Sequence, residues 1–417
     1  MKCLKFCFLF FLIQSNLHSQ TSIVAVGDAT IEKTKIAFST AENCSCIEVA
    51  NIVRSDLAMY KHKLEVFDNE FSEIQKLDYE YVLSKNTETN TFQLIATRGK
   101  DSSSIIELNN SEIDGRKKGH EVANLIYRDV FQKESIFNSK IFFISDLGIN
   151  NKGVKSKQLF VADWDGQNKK QITNHNGYVF SPTISEDGAL AVYSLISNET
   201  QAKNVNLYMI DLKTGENKIL SSFKGINSGA VFVPGEDEII LTLTHSGNAE
   251  LYKMNIKTKN LFPLTRHFAS DVDPSVSPDG KTVAFLSTRA GKPMIYTLDT
   301  DKTESNVKRV SFVGEYNATP RFSPDGKEII FSSWLDNQFD LFRLSTQGMN
   351  LVRLTKDHGS NESPSYSPDG EFVVFSSQQI LSETQDVKNL YIMTRDGEIL
   401  KKVSSELGKT ESPYWAK

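Results

Sequence analysis

The sequence predicts an all-β six-bladed β-propeller with an N-terminal α/β domain. The propeller is predicted from a repeated phrase, Ser-Pro-Asp-Gly, which occurs three times with its proline at Pro278, Pro324 and Pro368. By subtraction of their positions, these prolines stand 46 and 44 residues apart, a period typical of propeller blades. A degraded copy, Ser185-Glu186-Asp187-Gly188, extends the series towards the N-terminus.

The repeated phrase has the composition of a tight hairpin turn. Proline fixes φ at the first central position, aspartate can bond its own backbone two residues on, and glycine accepts a positive φ. A short strand leads into each turn, an apolar strand leaves it, and two more strands follow. In one repeat these are Pro320–Phe322, Ile329–Phe331, Asp340–Phe342 and Leu351–Thr355. Four antiparallel strands of this kind make one blade.

Five complete repeats and two fragments give the blade count. The complete repeats begin near Ser181, Gly229, Asp273, Thr319 and Ser363. Residues 140–173 supply three strands without an inner one, and the chain ends on Glu411-Ser412-Pro413-Tyr414-Trp415, an inner strand without a blade. We therefore expect the last strand to complete a sixth blade and to close the propeller, which spans residues 136–417. Closure leaves no open sheet edge.

The first 20 residues are predicted to be an export signal. Lys2 and Lys5 supply a positive end, and Phe6–Ile13 form an unbroken apolar core. The rest of the chain is therefore expected to be exported after cleavage near Ser19 or Gln20, with an uncleaved anchor as the alternative.

Residues 21–135 lack the turn phrase and are predicted to form a separate α/β domain. Helices are expected at about Ile47–Tyr60, with Ile47 and Leu57 on the same inward face, and at about Lys118–Lys133. Strands are expected near Ile31–Ser39, Leu64–Phe67, Tyr79–Leu83, Phe92–Thr97 and Ser104–Leu108. Cys44 and Cys46 fit either a disulfide or two free thiols.

Composition and motifs argue against several classes of function. The 417 residues carry a net charge of −5 with lysines and glutamates interspersed, so no basic surface for nucleic acid is expected. The chain has no Gly-x-Ser-x-Gly motif, and Gly280-Lys281-Thr282 lacks the earlier glycine of a phosphate loop. The turn itself requires an aspartate, so we interpret the repeated Asp279, Asp325 and Asp369 as turn residues and not as metal ligands. We expect no catalytic residues, no metal and no cofactor.

The order of parts resembles the TolB family of the Tol-Pal envelope system. The resemblance depends on an exported α/β domain followed by six blades, and on the segment from Gly119-His120-Glu121 through Phe131 into Ile141-Phe142-Phe143. Asp163-Trp164-Asp165-Gly166 in the first blade and the terminal Ser412-Pro413-Tyr414-Trp415 match as well. The chain departs from the family pattern in two places: Gln132-Lys133-Glu134-Ser135 replaces an expected Leu-Thr-Gly turn, and the turn phrase of the second complete repeat is degraded at Gly235-Glu236.

The resemblance implies a periplasmic, non-enzymatic binding protein. In this family the propeller binds Pal, the peptidoglycan-associated lipoprotein, and the N-terminal segment engages TolA of the inner membrane. The complex supports outer-membrane integrity and envelope constriction at cell division. For this chain the resemblance implies a Pal-like partner, a TolA-like partner bound by Thr21–Thr30, peripheral attachment to the outer membrane through partners, and a monomer.

The predicted binding face is formed by the loops that lead into the inner strands, here called the rim loops. If all turn phrases lie on one side of the ring, the rim loops open on the other side, around the central channel. By local alignment, the family's Pal-facing positions fall on Ile226, Gly229 and Val272. The full set of predicted partner-binding residues is His175, Asn176, Tyr178, Ile226, Asn227, Gly229, Asp271, Val272, Asp273, Tyr316, Asn317, Asn361, Glu362 and Glu411.

The sequence leaves two alternative functions open. One is the propeller half of a prolyl-oligopeptidase-like hydrolase, although the chain ends directly after the closing strand, where such enzymes carry a hydrolase domain. The other is a carbohydrate- or peptidoglycan-binding propeller unrelated to Tol. That alternative requires an aromatic platform, for which the rim loops offer Tyr178 and Tyr316.

Overall fold

The computed structural model describes residues 32–417 apart from short internal gaps. The gaps are 42–43, 45, 69–76, 87–88, 90, 99–101, 109–113, 199–203, 383–384 and 404–405. The predicted export signal and Thr21–Thr30 lie outside the described residues. Residues 33–417 form one compact unit, so the predicted domain boundary after residue 135 stays a prediction. In the part of the chain that is described, no helix is long and apolar enough to cross a membrane.

The N-terminal part is a five-stranded mixed sheet with two helices. Its strands are β1 (Thr34–Thr40), β2 (Leu64–Phe67), β3 (Tyr79–Lys85), β4 (Phe92–Arg98) and β5 (Ser102–Leu108), in the order β2-β1-β3-β4-β5. β1 runs parallel to β2 and β3, and β3, β4 and β5 are antiparallel. These strands fall where the sequence predicts them, within a few residues at their ends.

The two helices are α1 (Ile47–Met59) and α2 (Gly115–Phe131). Val53 and Leu57 of α1 are fully buried, as the apolar spacing predicts. Ile47 is exposed, so its predicted inward position is wrong: it occupies the first helical position, before the helix reaches the core. A side-chain oxygen of Asp114 accepts a hydrogen bond from the Arg116 amide and caps α2. Cys44 and Cys46 are paired as a disulfide before α1.

The predicted six-bladed propeller is confirmed. Each blade is a four-stranded antiparallel sheet. From the inner to the outer strand, the blades are as follows: blade 1, β29 (Thr410–Ala416), β6 (Lys140–Ser145), β7 (Gln158–Asp163) and β8 (Lys170–Gln171); blade 2, β9 (Gly177–Ile184), β10 (Leu190–Ser197), β11 (Val205–Asp211) and β12 (Asn217–Ser221); blade 3, β13 (Asn227–Phe232), β14 (Glu238–Leu243), β15 (Glu250–Asn255) and β16 (Leu261–Pro263). They continue with blade 4, β17 (Asp271–Val276), β18 (Thr282–Ser287), β19 (Met294–Asp299) and β20 (Lys308–Arg309); blade 5, β21 (Tyr316–Phe322), β22 (Glu328–Leu335), β23 (Gln338–Ser345) and β24 (Val352–Arg353); blade 6, β25 (Ser360–Tyr366), β26 (Phe372–Ser382), β27 (Gln385–Thr394) and β28 (Ile399–Lys402).

The last strand of the chain closes the ring. β29 pairs antiparallel with β6, with Tyr414 opposite Phe142 and Trp415 opposite Ile141. Trp415 is buried, and its indole Nε1 donates a hydrogen bond of 2.8 Å to Ser139 Oγ. The first blade is therefore built from both ends of the propeller sequence, which removes the open edges of the ring.

Every inner strand carries a bulge at the same place. The register of each inner strand shifts there, and one residue adopts a left-handed conformation with φ between 48° and 60°. In blade 3 that residue is Gly229, which accepts this conformation without steric cost. The six residues, one per blade, are Ser181, Gly229, Asp273, Thr319, Ser363 and Ser412. Five of these positions are the predicted starts of the complete repeats, and the sixth, Ser412, lies in the closing strand, so the bulge is part of the repeating unit.

Candidate binding face of the propeller

The bulge residues line the central channel. Together with their neighbours they enclose a cavity of about 220 Å³ to which all six inner strands contribute. Two side chains of opposite charge face it, Asp273 and Arg321, whose closest atoms are 3.5 Å apart. The remaining lining is polar or small: Ser181, Pro182, Ser228, Gly229, Val272, Thr319, Ser363, Ser412 and Pro413.

The side of the ring that carries the rim loops is rich in exposed apolar side chains. Two sets of loops open there: the rim loops, and the connections between the second and third strand of each blade. Most of the exposed large apolar side chains of the described residues belong to these loops or to the strand ends beside them. They are Leu147, Ile149, Val154, Tyr178, Ile196, Phe223, Ile226, Phe268, Phe312, Tyr316, Trp334, Ile380 and Leu381. Concentrated exposed apolar surface marks interaction sites in proteins.

Six of the predicted site residues face solvent or the channel. Tyr178, Ile226 and Tyr316 are exposed on the rim loops or at the strand starts beside them. Gly229, Val272 and Asp273 line the channel cavity. The structure therefore brings these six residues together around the channel, and their role in partner binding stays a prediction.

Four other predicted residues are half-buried and bonded within the propeller. Glu362 forms an ion pair of 2.6 Å with Lys388, and Glu411 forms one of 2.6 Å with Lys157. His175 Nε2 is 2.7 Å from the hydroxyl of Tyr193. Asn176 Oδ1 accepts a hydrogen bond from Asn150 Nδ2. These side chains hold the rim in shape and are partly accessible from outside.

The last four predicted residues need a correction, because Asn227, Asp271, Asn317 and Asn361 are 0 % exposed. Each stands two positions before the bulge residue of its blade and points into the blade. Asn227 illustrates the reason: its Nδ2 donates to the backbone oxygens of Val205 and Phe223, and its Oδ1 accepts from Ser221 and Phe223. We assign these four residues to the framework of the blades, since a bound partner has no access to them.

The α/β part packs on the opposite side of the ring, where the turn phrases lie. The hydroxyl of Tyr60 donates to Asp369 of the blade 6 turn phrase at 2.5 Å, and Lys63 pairs with Glu371 at 2.8 Å. The Arg116 guanidinium binds Asp163 and Asp165 of blade 1, at 2.6 Å each. The face that carries the rim loops is thus on the far side of the ring from these contacts.

Two carboxyl groups at this junction have pKa values shifted in opposite directions. Burial raises the pKa of Asp369, against the hydrogen bonds from Ser367 and Tyr60. A hydrogen bond from His62 and the ion pair with Lys63 lower the pKa of Glu371 to about 2. Both groups serve the contact between the two parts of the chain.

Sequence reasoning missed the contribution of the second set of loops. The predicted face includes the rim loops alone, whereas Ile149, Ile196, Trp334 and Ile380 reach the same side from the ends of the second strands or the loops after them. The available signal was a large apolar residue at the end of a strand, directly before a polar connection. β26 and β27 form the longest such hairpin, with 11 and 10 residues. The described residues contain no group of three or more His, Cys, Asp or Glu side chains that could hold a metal ion.

The chain is thus a closed six-bladed propeller with a helix-and-sheet part docked on its turn side and exposed apolar side chains on its other face. The family model described as "TolB beta propeller domain" matches residues 127–417. The chain therefore belongs to the TolB family.

Individual relatives agree with this assignment. "Tol-Pal system protein TolB" of Francisella tularensis subsp. holarctica is 27% identical over 221 residues, which is 52% of this chain and 49% of the relative. The protein of the same name from subsp. mediasiatica matches over the same shares. The chain thus spans about half the length of these curated relatives.

Solved structures match over more of the chain. The crystal structure of TolB from Acinetobacter baumannii superposes with a TM-score of 0.74 at 25% identity, covering 93% of this chain and 97% of that one. Hydrazine synthase of Kuenenia stuttgartiensis, at 16% identity and a TM-score of 0.51, covers 67% of this chain and 46% of its own, and shares the fold alone.

Proposed function

We propose that this chain is a non-enzymatic periplasmic scaffold of the Tol-Pal type. Its rim-loop face binds a Pal-like peptidoglycan-associated lipoprotein, and Thr21–Thr30 engages a TolA-like inner-membrane protein. Through these partners the chain supports outer-membrane integrity and the constriction of the envelope at cell division. The predicted export signal at residues 1–20 delivers it to that compartment.

The observation that carries this proposal is the asymmetry of the propeller. One side of the ring is engaged by the α/β part through Tyr60, Lys63 and Arg116. The other side has the exposed apolar residues Tyr178, Ile226 and Tyr316 close to the channel. A face of this composition, with half-buried ion pairs around it, is suited to a protein partner.

Membership of the TolB family favours a Pal-like partner over other proteins. The curated relatives carry the words "Tol-Pal system" in their name, and the Acinetobacter baumannii TolB matches nearly the whole chain. The positions aligned with Pal-facing residues of the family, Ile226, Gly229 and Val272, lie at the rim or in the channel wall. The proposal therefore locates the Pal-binding site around these three residues.

The test is direct binding of a Pal-like periplasmic domain encoded by the same genome to the purified chain. Ile226→Glu introduces a charge into the proposed interface, and we expect it to weaken binding by about tenfold or more, or at least ~1.4 kcal/mol. Ile219→Glu is the matched control, because Ile219 is also an exposed isoleucine but lies in the outer strand β12.

Equal binding by the Ile226→Glu and Ile219→Glu variants would contradict the assignment of the rim-loop face as the Pal-binding face. Failure of the unaltered chain to bind any Pal-like domain would contradict the proposal that a Pal-like lipoprotein is its partner. The TolA-like contact is tested separately by deleting residues 21–30, which should abolish capture of a TolA-like domain and leave the rim-loop face intact.

A further inference from the structure

Three aromatic side chains form a row across the rim of blade 5. Tyr316 on β21 stands opposite Trp334 on β22, and Trp334 stands opposite Phe339 on β23. Residues directly opposite each other in an antiparallel sheet lie on the same face. The Phe339 ring makes edge contacts with both partners, at 5.1 Å from Trp334 and 5.9 Å from Tyr316. Tyr316 is 41% exposed and Trp334 is 37% exposed, so the row is open to solvent.

The row ends at the central channel. Tyr316 begins the inner strand β21, three positions before Thr319, which lines the channel cavity, and the Thr319 amide donates a hydrogen bond of 2.8 Å to Asp273. Asp273 itself belongs to the channel wall. The aromatic row and the channel cavity are therefore parts of one continuous surface.

The channel offers neutral hydrogen-bonding groups. The hydroxyls of Ser181, Ser228, Ser363 and Ser412 line the cavity and make no hydrogen bond to another described residue. A hydroxyl both donates and accepts, so each serine can donate a hydrogen bond to a ligand hydroxyl or accept one from it. The two charged side chains in the wall, Asp273 and Arg321, lie within 3.5 Å and offset each other.

We propose that the row Tyr316–Trp334–Phe339 and the adjoining channel bind a neutral oligosaccharide. Sugar rings present apolar C–H faces that stack on aromatic side chains, and their hydroxyls need partners that donate and accept. A row of rings beside a cavity lined by free hydroxyls satisfies both requirements. A charged ligand gains little here, because Asp273 and Arg321 face the same cavity and offset each other's charge. This activity is additional to the proposed protein binding and does not depend on it.

The tryptophans make binding measurable without a label. Trp164 and Trp415 are buried, so Trp334 is the tryptophan of the chain that a surface ligand can reach. We would titrate the purified full chain with chitotetraose, maltotetraose and cellotetraose, and with trigalacturonate as the anionic comparison, and confirm each isotherm by calorimetry. At least one neutral tetrasaccharide should change the Trp334 emission saturably, with a dissociation constant of about 1 mM or below.

Variants assign the binding to the row. By calorimetry, Trp334→Ala and Tyr316→Ala should each weaken the binding by about tenfold or more. Trp334→Phe keeps a stacking surface and should restore most of the affinity. Phe262→Ala is the matched control, because Phe262 is an exposed aromatic residue in the outer strand β16 and should leave binding unchanged.

Three results would overturn the proposal. They are absence of saturable binding by every neutral tetrasaccharide up to about 10 mM, tighter binding of trigalacturonate, and equal losses for Trp334→Ala and Phe262→Ala. Thermal melts of each variant identify any loss that reflects unfolding, and in that case the Trp334→Phe result decides. Binding of the Pal-like domain by the same samples shows independently whether the protein-binding proposal holds.

Discussion

The hydroxyl of Tyr60 donates a hydrogen bond of 2.5 Å to Asp369, linking the end of α1 to the turn phrase of blade 6 across 309 positions of sequence. The same hydroxyl accepts a hydrogen bond from the backbone amide of Ile136, at the start of the propeller segment. The Tyr60 ring is fully buried and packs edge-on against Phe372. One side chain therefore ties together three segments that are distant in sequence.

Tyr60→Phe should destabilise the chain while preserving its packing. The substitution removes a donor to the half-buried Asp369 carboxylate and leaves the Ile136 amide without its acceptor. We expect the free energy of unfolding to fall by about 2–4 kcal/mol, since each buried group left without a partner costs ~1–3 kcal/mol. Urea unfolding followed by circular dichroism measures it. Tyr178→Phe is the control, because Tyr178 is exposed, and a Tyr60→Phe loss no larger than the control's would refute the role of the hydroxyl.

The acid sensitivity of the chain should depend on two neighbouring carboxyl groups with opposite effects. The pKa of Glu371 in the folded chain is about 2, below its ordinary value of 4.5, so its stabilisation is complete above pH 4.5 and is lost as the pH falls towards 2. The pKa of Asp369 is raised above 3.8, so the folded chain binds this proton more tightly than the unfolded chain does. Asp369 therefore opposes the acid loss that Glu371 causes.

Substitutions should separate these two effects. Glu371→Gln should make stability fall less steeply between pH 5 and about 2, and Asp369→Asn should make it fall more steeply. Urea midpoints measured at several pH values give both slopes. Glu398→Gln is the control, because Glu398 pairs with Lys61 across the same junction but in an exposed position. Slopes that change in the same direction for both variants would contradict the assignment.

The sequence predicts the propeller well because its signals are local. The turn phrase and the apolar strand after Pro324 depend on residues within one repeat, and the closing strand at Trp415 is predicted from the two incomplete repeats at the ends of the propeller. The strand pairing confirms both predictions. The docking of the α/β part was not predictable in this way. It depends on the contact between Tyr60 and Asp369, and nothing near either residue in sequence marks it.

The candidate face was predicted in part, for a physical reason. Polar residues in loops are usually exposed, so Asn227 and Asn361 were expected on the surface. The bulge two positions later turns them into the blade, where their amides bond backbone and side-chain groups. Tyr178 and Ile226 precede the buried position by one residue and are exposed. Alternation along a strand thus decides which residues reach a partner.

Asn361→Ala should therefore affect stability and leave partner binding intact. Asn361 Nδ2 donates to Gly359 O at 3.0 Å and to Asp340 Oδ1 at 3.2 Å, and Asp340 is fully buried. Losing these bonds should lower the free energy of unfolding by about 1–3 kcal/mol. Below its unfolding midpoint, the variant should bind the Pal-like domain as the unaltered chain does. Asn260→Ala, at an exposed asparagine in the turn directly before the outer strand β16 and away from the rim loops, should change neither property. Tenfold weaker binding by the folded Asn361→Ala variant would show that Asn361 contributes to the binding interface.

Closure of the ring by the last strand leads to a prediction about cooperativity. Trp415 is buried in blade 1, its indole Nε1 donates to Ser139, and its backbone amide donates to Ser365 Oγ of blade 6 at 3.0 Å. The residue thus joins the first blade to the last. Trp415→Ala removes this packing and should lower the free energy of unfolding by about 3–5 kcal/mol. Trp415→Phe keeps most of the packing but loses the indole hydrogen bond, so a loss of about 1 kcal/mol is expected.

Trp334→Ala is the matched control for this test, because Trp334 is partly exposed at the rim and belongs to a blade formed from one continuous segment. Urea unfolding should show Trp334→Ala as the most stable of the three variants, Trp415→Phe as the next and Trp415→Ala as the least stable. In Trp415→Ala, limited proteolysis should cleave the chain first within Thr410–Ala416, because a strand that loses its anchor exposes its backbone. If Trp415→Ala is as stable as Trp334→Ala and resists cleavage there, the ring is held by contacts other than its last strand.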